Sequence, residues 1–235
     1  MDSSYRIFPL GDGALSVSFG NRIDDALNEN VLRLFRKVQT LSPCIVDVVP
    51  AYGSLTVYYD VPSLRSKNRS AFEAVKAMIE PLLHEQESNS TEPGRRIRIP
   101  VCYAKDLAFD IEEVAAQKAL SVTDVIRLHT SKTYRVYMIG FLPGFAYMGK
   151  VDDQIVLPRR SQPRTLVPAG SVGIAGEQTG IYPLDSPGGW NIIGRTPLKM
   201  FDAAKEESVL LRPGDEISFY SISKDAFEDY QGRTA

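Results

Sequence analysis

Histidine and cysteine are scarce in this chain, and their placement removes several chemistries. The two histidines, His84 and His129, and the two cysteines, Cys44 and Cys102, form no CxxC and no His/Cys/carboxylate cluster. A transition-metal centre is therefore not expected. Cys44 and Cys102 read as buried reduced thiols, because the opening MDSSYRIFPLGDG has neither a basic n-region nor an apolar h-region. A basic excess is also missing: 27 Lys and Arg face 29 Asp and Glu, for a net charge of -2 and a pI near 5.8. That balance argues against a nucleic-acid surface. No apolar run approaches the ~18 residues of a membrane span. The expectation is a cytoplasmic protein with no nucleic-acid or membrane partner.

Familiar catalytic signatures are absent too. Gly144 to Lys150 (GFAYMGK) matches seven places of a P-loop, but Val151 stands where the magnesium-binding hydroxyl belongs and VDDQIVLPRR is no helix. Gly170, Gly173 and Gly176 recur without the strand-turn-helix of a dinucleotide fingerprint. Ser171 lies in AGSVG and Ser186 in DSPGG, neither a GxSxG elbow.

What is present suggests two domains. An apolar fraction of 43% over 235 residues suffices for a sizeable core. HEQESNSTEPGRR, from His84 to Arg96, contains no apolar residue and reads as a linker. The boundaries drawn are an α+β N-terminal domain over 1–86, a linker over 87–96 and a mainly β barrel domain over 97–235. In the first domain, strands at Tyr5–Phe8 and Ala14–Phe19 flank a GDG turn. A helix starts near Asp24 with Leu27, Val31, Leu34 and Val38 on one stripe. Strands at 45–49 and 54–59 follow, then a second stripe of Phe72, Val75, Ile79 and Leu82 that Pro81 is expected to kink or end near Glu80. The order is ββαββα. In the second domain a strand at 96–103 precedes two short helices with capping boxes Asp110/Glu113 and Ser121/Asp124, and β structure runs from Tyr134 to the strand at 216–220.

The densest run of information lies between Gly140 and Thr196: GFLPGFAYMG, LPRRSQPR, VPAGSVGIAG, QTGIYP and SPGGWNIIGRTP. Gly and Pro every few residues exclude helix and leave strands and shaped loops. Phe141, Phe145, Tyr147, Tyr182 and Trp190 alternate there with Arg159, Arg160, Arg164 and Arg195. One reading is an ordinary barrel with glycine corners and proline edges. The other is a pocket of aromatic walls, guanidinium forks and backbone amides for a small anionic or carbonyl-bearing ligand. His129 allows the same pair of readings, a core histidine beside Val122, Val125 and Ile126 or a group projecting into the barrel mouth.

In order, these five motifs resemble the signature of the allophanate hydrolase subunit 1 family, and the likeness extends weakly to YRIFPLGDGALSVSFG and LLRPGDEISF. The resemblance implies a cyclophilin-like barrel. It implies a PxpB-type component of an ATP-dependent 5-oxoprolinase, a cyclic-amide hydrolase subunit inactive alone, which works with an allophanate hydrolase subunit 2-like subunit (PxpC type) and a third, lactamase-type subunit (PxpA type). ATP and Mg²⁺ would enter as a substrate complex, with no tightly bound cofactor and no metal site. On this reading Arg160, Arg195 and His129 are catalytic. Phe141, Pro143, Gly144, Phe145, Tyr147, Arg159, Arg164, Ser171, Gln178, Ser186, Pro187, Gly188, Gly189 and Trp190 bind 5-oxoproline, nucleotide phosphate or both. Other members of the family, of the KipI type, inhibit a sensor histidine kinase, in which case Phe141, Pro143, Phe145 and Trp190 become interface anchors. A urea-degrading role and prolyl isomerisation rank below both.

Overall fold

The structure, a computed structural model, describes residues 5–66, 69–85 and 94–234. The chain separates into two compact units, Met1–Pro93 and Gly94–Ala235. The expected linker at 87–96 falls largely on residues 86–93, outside the described residues.

In the first unit, β1 (Arg6–Pro9), β2 (Ala14–Ser18), β4 (Ser54–Tyr59) and β3 (Ile45–Pro50) form an antiparallel sheet in the order β1-β2-β4-β3. Strand alternation sends Leu15, Val17, Leu55 and Val57 to one face. There they pack against Val31, Leu34 and Val38 of α1 (Asp25–Val38) and Val75 and Ile79 of α3 (Ala71–His84). Asp24 caps α1 by accepting from the Leu27 amide, and Ser70 with Glu73 forms a complete capping box on α3. A four-residue helix not anticipated from sequence, α2 (Val61–Leu64), precedes α3. Of the two outcomes expected of Pro81, a kink or an end near Glu80, the end does not occur: α3 continues through Pro81 to His84.

The second unit is built on a closed seven-stranded barrel. Its strands are β5 (Arg96–Cys102), β6 (Thr133–Ile139), β7 (Ala146–Gly149), β9 (Ser171–Ala175), β10 (Gln178–Ile181), β12 (Asn191–Arg195) and β13 (Glu216–Ile222), closing in the order β10-β7-β6-β13-β5-β12-β9. β5 and β13 run parallel and the other pairings are antiparallel. Closure removes sheet edges. Two further strands, β8 (Arg164–Val167) and β11 (Ser186–Gly188), pair as a separate ribbon. Helices α4 (Ile111–Gln117) and α5 (Val122–Thr130) contribute Ile111, Val114, Val125 and Leu128 to the barrel core, and α6 (Lys224–Thr234) follows β13. The stretch resembling a P-loop contains β7 where a phosphate-binding turn would need a loop.

Among the described residues no helix is long and apolar enough to cross a membrane.

Candidate functional site

Alternation gives the barrel wall two faces of different character. Ala146 and Met148 of β7, Val172 and Ile174 of β9 and Ile181 of β10 enter the barrel core. Phe145, Tyr147, Ala175, Tyr182, Trp190 and Ile192 form a second apolar layer with Val167 of the ribbon. Phe145 is the hub of this layer, with its ring 5.2 Å from Tyr182, 5.4 Å from Trp190, 4.7 Å from Tyr147 and 5.7 Å from Phe141. Three of these four contacts are edge-on, the arrangement favoured by ring quadrupoles.

Glycine makes the layer possible. Gly180 pairs with Gly173 across the β9–β10 hairpin. A Cβ on Gly180 would stand 3.0 Å from the Trp190 ring and 3.1 Å from the Phe145 ring, so the bare backbone is the floor on which both lie. Burial raises the phenol pKa of Tyr182 and Tyr147, opposed in each case by the nearby Arg159 charge. Both phenols stay protonated donors at neutral pH.

The four arginines do not converge. Arg160 Nη1 reaches Asp110 Oδ1 and Glu113 Oε2, each at 2.8 Å. Arg164 grips Asp110 with both Nη atoms, at 2.9 and 2.5 Å, and lies over the Phe109 ring. Asp110 is 1% exposed and also accepts the Ile192 amide at 2.6 Å. Its carboxylate is a buried counter-ion for two guanidiniums, not the helix cap expected from its spacing to Glu113: it makes no capping bond to α4. Ser121, by contrast, does accept the Asp124 amide.

Arg159 and Arg195 are different. Neither has a carboxylate partner among the described residues. Arg159 is exposed beside the bridge between Leu157 and Gly176, the end of the layer where Gln178 begins β10. Arg195 is half-buried at the opposite end, paired in register with Ser171, and donates Nε to the Ala169 carbonyl at 2.7 Å. The layer thus has a cation at each end and a packed aromatic middle.

His129 does not project into the barrel mouth. Its ring is fully buried, stacked on Phe219 at 4.6 Å. Nδ1 lies 2.8 Å from the Tyr103 hydroxyl and Nε2 3.0 Å from Thr179 Oγ1. Thr179 donates its hydrogen to the Gly173 carbonyl. The proton must therefore sit on Nε2, with Tyr103 donating to Nδ1. Burial depresses the imidazole pKa to about 3, so the ring is neutral. Its place is that of a core histidine, closed off from solvent and held by Tyr103 and Thr179.

Of the other expected residues, Phe141 is 62% exposed with φ +70°, Pro143 and Pro187 are exposed, and Gly144 is buried beneath the loop of Met200 and Phe201. Gly188 and Gly189 are half-buried, and the Gly189 carbonyl accepts from the Arg160 amide. Ser171 and Ser186 are both buried. Sequence reasoning missed the counter-ion role of Asp110. The available signal was electrostatic: paired arginines on a fixed loop need an acid.

Fold and site together define a mixed α/β protein whose closed barrel carries an arginine-flanked aromatic layer. The chain belongs to the carboxyltransferase domain family, subdomain C and D, which it matches over residues 5–211. It is 41% identical over 236 residues to the B-type subunit of 5-oxoprolinase from Bacillus subtilis (strain 168), covering 98% of each chain. It is 40% identical over 215 residues to the B-type subunit of 5-oxoprolinase from Escherichia coli O157:H7, covering 91% of this chain and 94% of that one. The solved structure of TTHA0988 superimposes with a TM-score of 0.77 at 37% identity, over 89% of this chain and 40% of that longer one. These relatives agree with the family likeness read from the motifs between Gly140 and Thr196.

Proposed function

We propose that this chain is the PxpB-type component of a heteromeric ATP-dependent 5-oxoprolinase, which converts 5-oxoproline, ATP and water to glutamate, ADP and phosphate. The observation that carries the reading is similarity of about 40% over nearly the whole length to 5-oxoprolinase subunits of the same type from two bacteria. A lactam is a poor electrophile because its nitrogen lone pair is delocalised into the carbonyl. Transfer of the ATP γ-phosphoryl group to the carbonyl oxygen, with release of ADP, turns that oxygen into part of a leaving group and activates the carbon. One water adds to the carbon and the ring C–N bond breaks, with the nitrogen taking a proton, and a second water hydrolyses the resulting γ-glutamyl phosphate to glutamate and phosphate.

In this scheme the chain's own residues bind and orient. The aromatic layer excludes water, and Arg159 and Arg195 supply positive charge for a carboxylate or phosphoryl oxygen. ATP arrives as its magnesium complex. In this reading the cation is held by the nucleotide and the partner subunits. The partners are a PxpC-type and a PxpA-type subunit, and the barrel is read as cyclophilin-like. Phe141, exposed on a left-handed backbone, is the anchor offered to the PxpC-type subunit.

The test is ATP-dependent glutamate release from 5-oxoproline by the three purified subunits together and with this chain omitted. Release that requires all three supports the reading. Equal release without this chain removes it.

A further inference from the structure

Among the described residues, two buried side-chain polar atoms lack a hydrogen-bond partner, Ser171 Oγ and Ser186 Oγ. A buried hydroxyl without a protein partner is destabilising, so native proteins keep few of them and usually for a reason. Both belong to residues more than nine-tenths buried, with Ser171 1% and Ser186 7% exposed.

They are tied together by one turn. Ser171 opens β9 opposite Arg195 and shares the outer barrel face with Gly173, two residues on. Ser186 opens β11 opposite Val167, whose side chain enters the aromatic layer, so Ser186 shares the ribbon's inner face. Pro168, Ala169 and Gly170 join the end of β8 to the start of β9, linking these two faces. The turn's own backbone is fully engaged. The Ala169 amide donates to Asp185 Oδ1 at 2.7 Å, the Ala169 carbonyl accepts Arg195 Nε, and the Gly170 amide donates to the Tyr182 carbonyl at 2.7 Å. Gly170 has φ +82°, and a Cβ there would collide with the Thr196 carbonyl oxygen, which fixes the turn against β12. Left over are two hydroxyls and the Nη groups of Arg195. The exposed acid at this turn, Asp185, has one oxygen already committed to the Ala169 amide.

A guanidinium and two hydroxyls carried on strands joined by one turn offer donors that a planar oxyanion with several lone pairs would match chemically. We propose that Ser171, Ser186 and Arg195 form a subsite for a small carboxylate, and, resting on the proposed function above, that it holds the carboxylate of 5-oxoproline. The lactam ring then lies toward Tyr182 and Trp190. The same donors suit a phosphoryl oxygen, so the test must separate the two sources.

The test compares the parent chain with Ser171→Ala/Ser186→Ala and Arg195→Gln, each full length, by thermal midpoint, by calorimetry with 5-oxoproline and with inorganic phosphate, and by KM for 5-oxoproline in the three-subunit assembly. The serine double variant removes two unpaired hydroxyls, so its midpoint is expected to hold or rise. Its KM for 5-oxoproline is expected to rise about ten-fold or more, with a smaller change in kcat. An unchanged KM in an active assembly overturns the subsite while leaving the proposed function standing. Loss of phosphate binding with 5-oxoproline unaffected overturns the carboxylate assignment. If the parent assembly does not open 5-oxoproline, the proposed function fails, and calorimetry alone decides the subsite: binding of 5-oxoproline lost in the variants supports it, and no binding to the parent overturns it.

Discussion

Arg164 binds the buried carboxylate of Asp110 through both terminal nitrogens, and the same carboxylate takes Arg160 and the Ile192 amide. One acid thereby fixes the PRRSQPR loop to the start of α4 and to β12. Removing a single member of such a buried set leaves charge uncompensated. Asp110→Asn is expected to lose about 3–5 kcal/mol of unfolding free energy. Arg160, which is partly exposed and shares the acid with Arg164, is expected to lose about 1–2 kcal/mol as alanine. Urea denaturation checks both. A midpoint unchanged in Asp110→Asn would mean that the network is ornamental.

Gly180→Ala inserts a methyl group into ring contacts of 3.0 and 3.1 Å, with the Ala146 carbonyl oxygen at 3.0 Å. Overpacking of this kind destabilises by about 1–3 kcal/mol. Trp190 is the chain's single tryptophan. Its emission should therefore shift with the substitution, and an unshifted spectrum at parental stability would contradict the packed floor.

His129 makes stability depend on pH. Its imidazole is neutral in the fold down to about pH 3, whereas the unfolded ring protonates near the ordinary value of 6.5. Between those values the unfolded state binds the extra proton. Stability is therefore complete above about pH 6.5 and falls below it by up to about 1.4 kcal/mol per pH unit from this group alone. His129→Gln should flatten the slope between pH 6.5 and 4 in chemical denaturation. Parallel curves for the two proteins would assign the slope to other groups.

Phe141→Gly removes an exposed ring and relieves a positive φ that L side chains adopt reluctantly. The isolated chain should melt at or slightly above the parental temperature, while its association with the partner subunits weakens. Sedimentation of the mixture reads the second effect, and undiminished complex formation would remove Phe141 from the interface.

Elements whose signal is local were legible in the sequence. Alternation marked β2, β4 and β5 to within a residue or two, and Asp24 and Ser121 announced their helices. Sidedness was not legible: GFAYMG and SVGIA alternate, but nothing in them says that a second apolar layer covers the outer face. The short α2 and the polar α6 carry little periodic signal, and the Ser70–Glu73 box went unread beside the stronger stripe that follows it. Asp110 was misread because its spacing to Glu113 fits a cap equally well, and its true partners lie about fifty residues on. The four arginines were visible as a cluster in sequence. Whether each meets an acid is a tertiary fact, and it divides them into two that hold structure and two that remain available.

In the proposed function, 5-oxoproline meets the enzyme at the aromatic layer of this chain. The most direct measurement labels this chain alone with 5-fluorotryptophan, assembles it with its partners, and follows the fluorine resonance of Trp190 during titration with 5-oxoproline. The expected result is a shift that saturates together with turnover. A resonance that stays fixed while the assembly is saturated and active would place substrate elsewhere and contradict the claim.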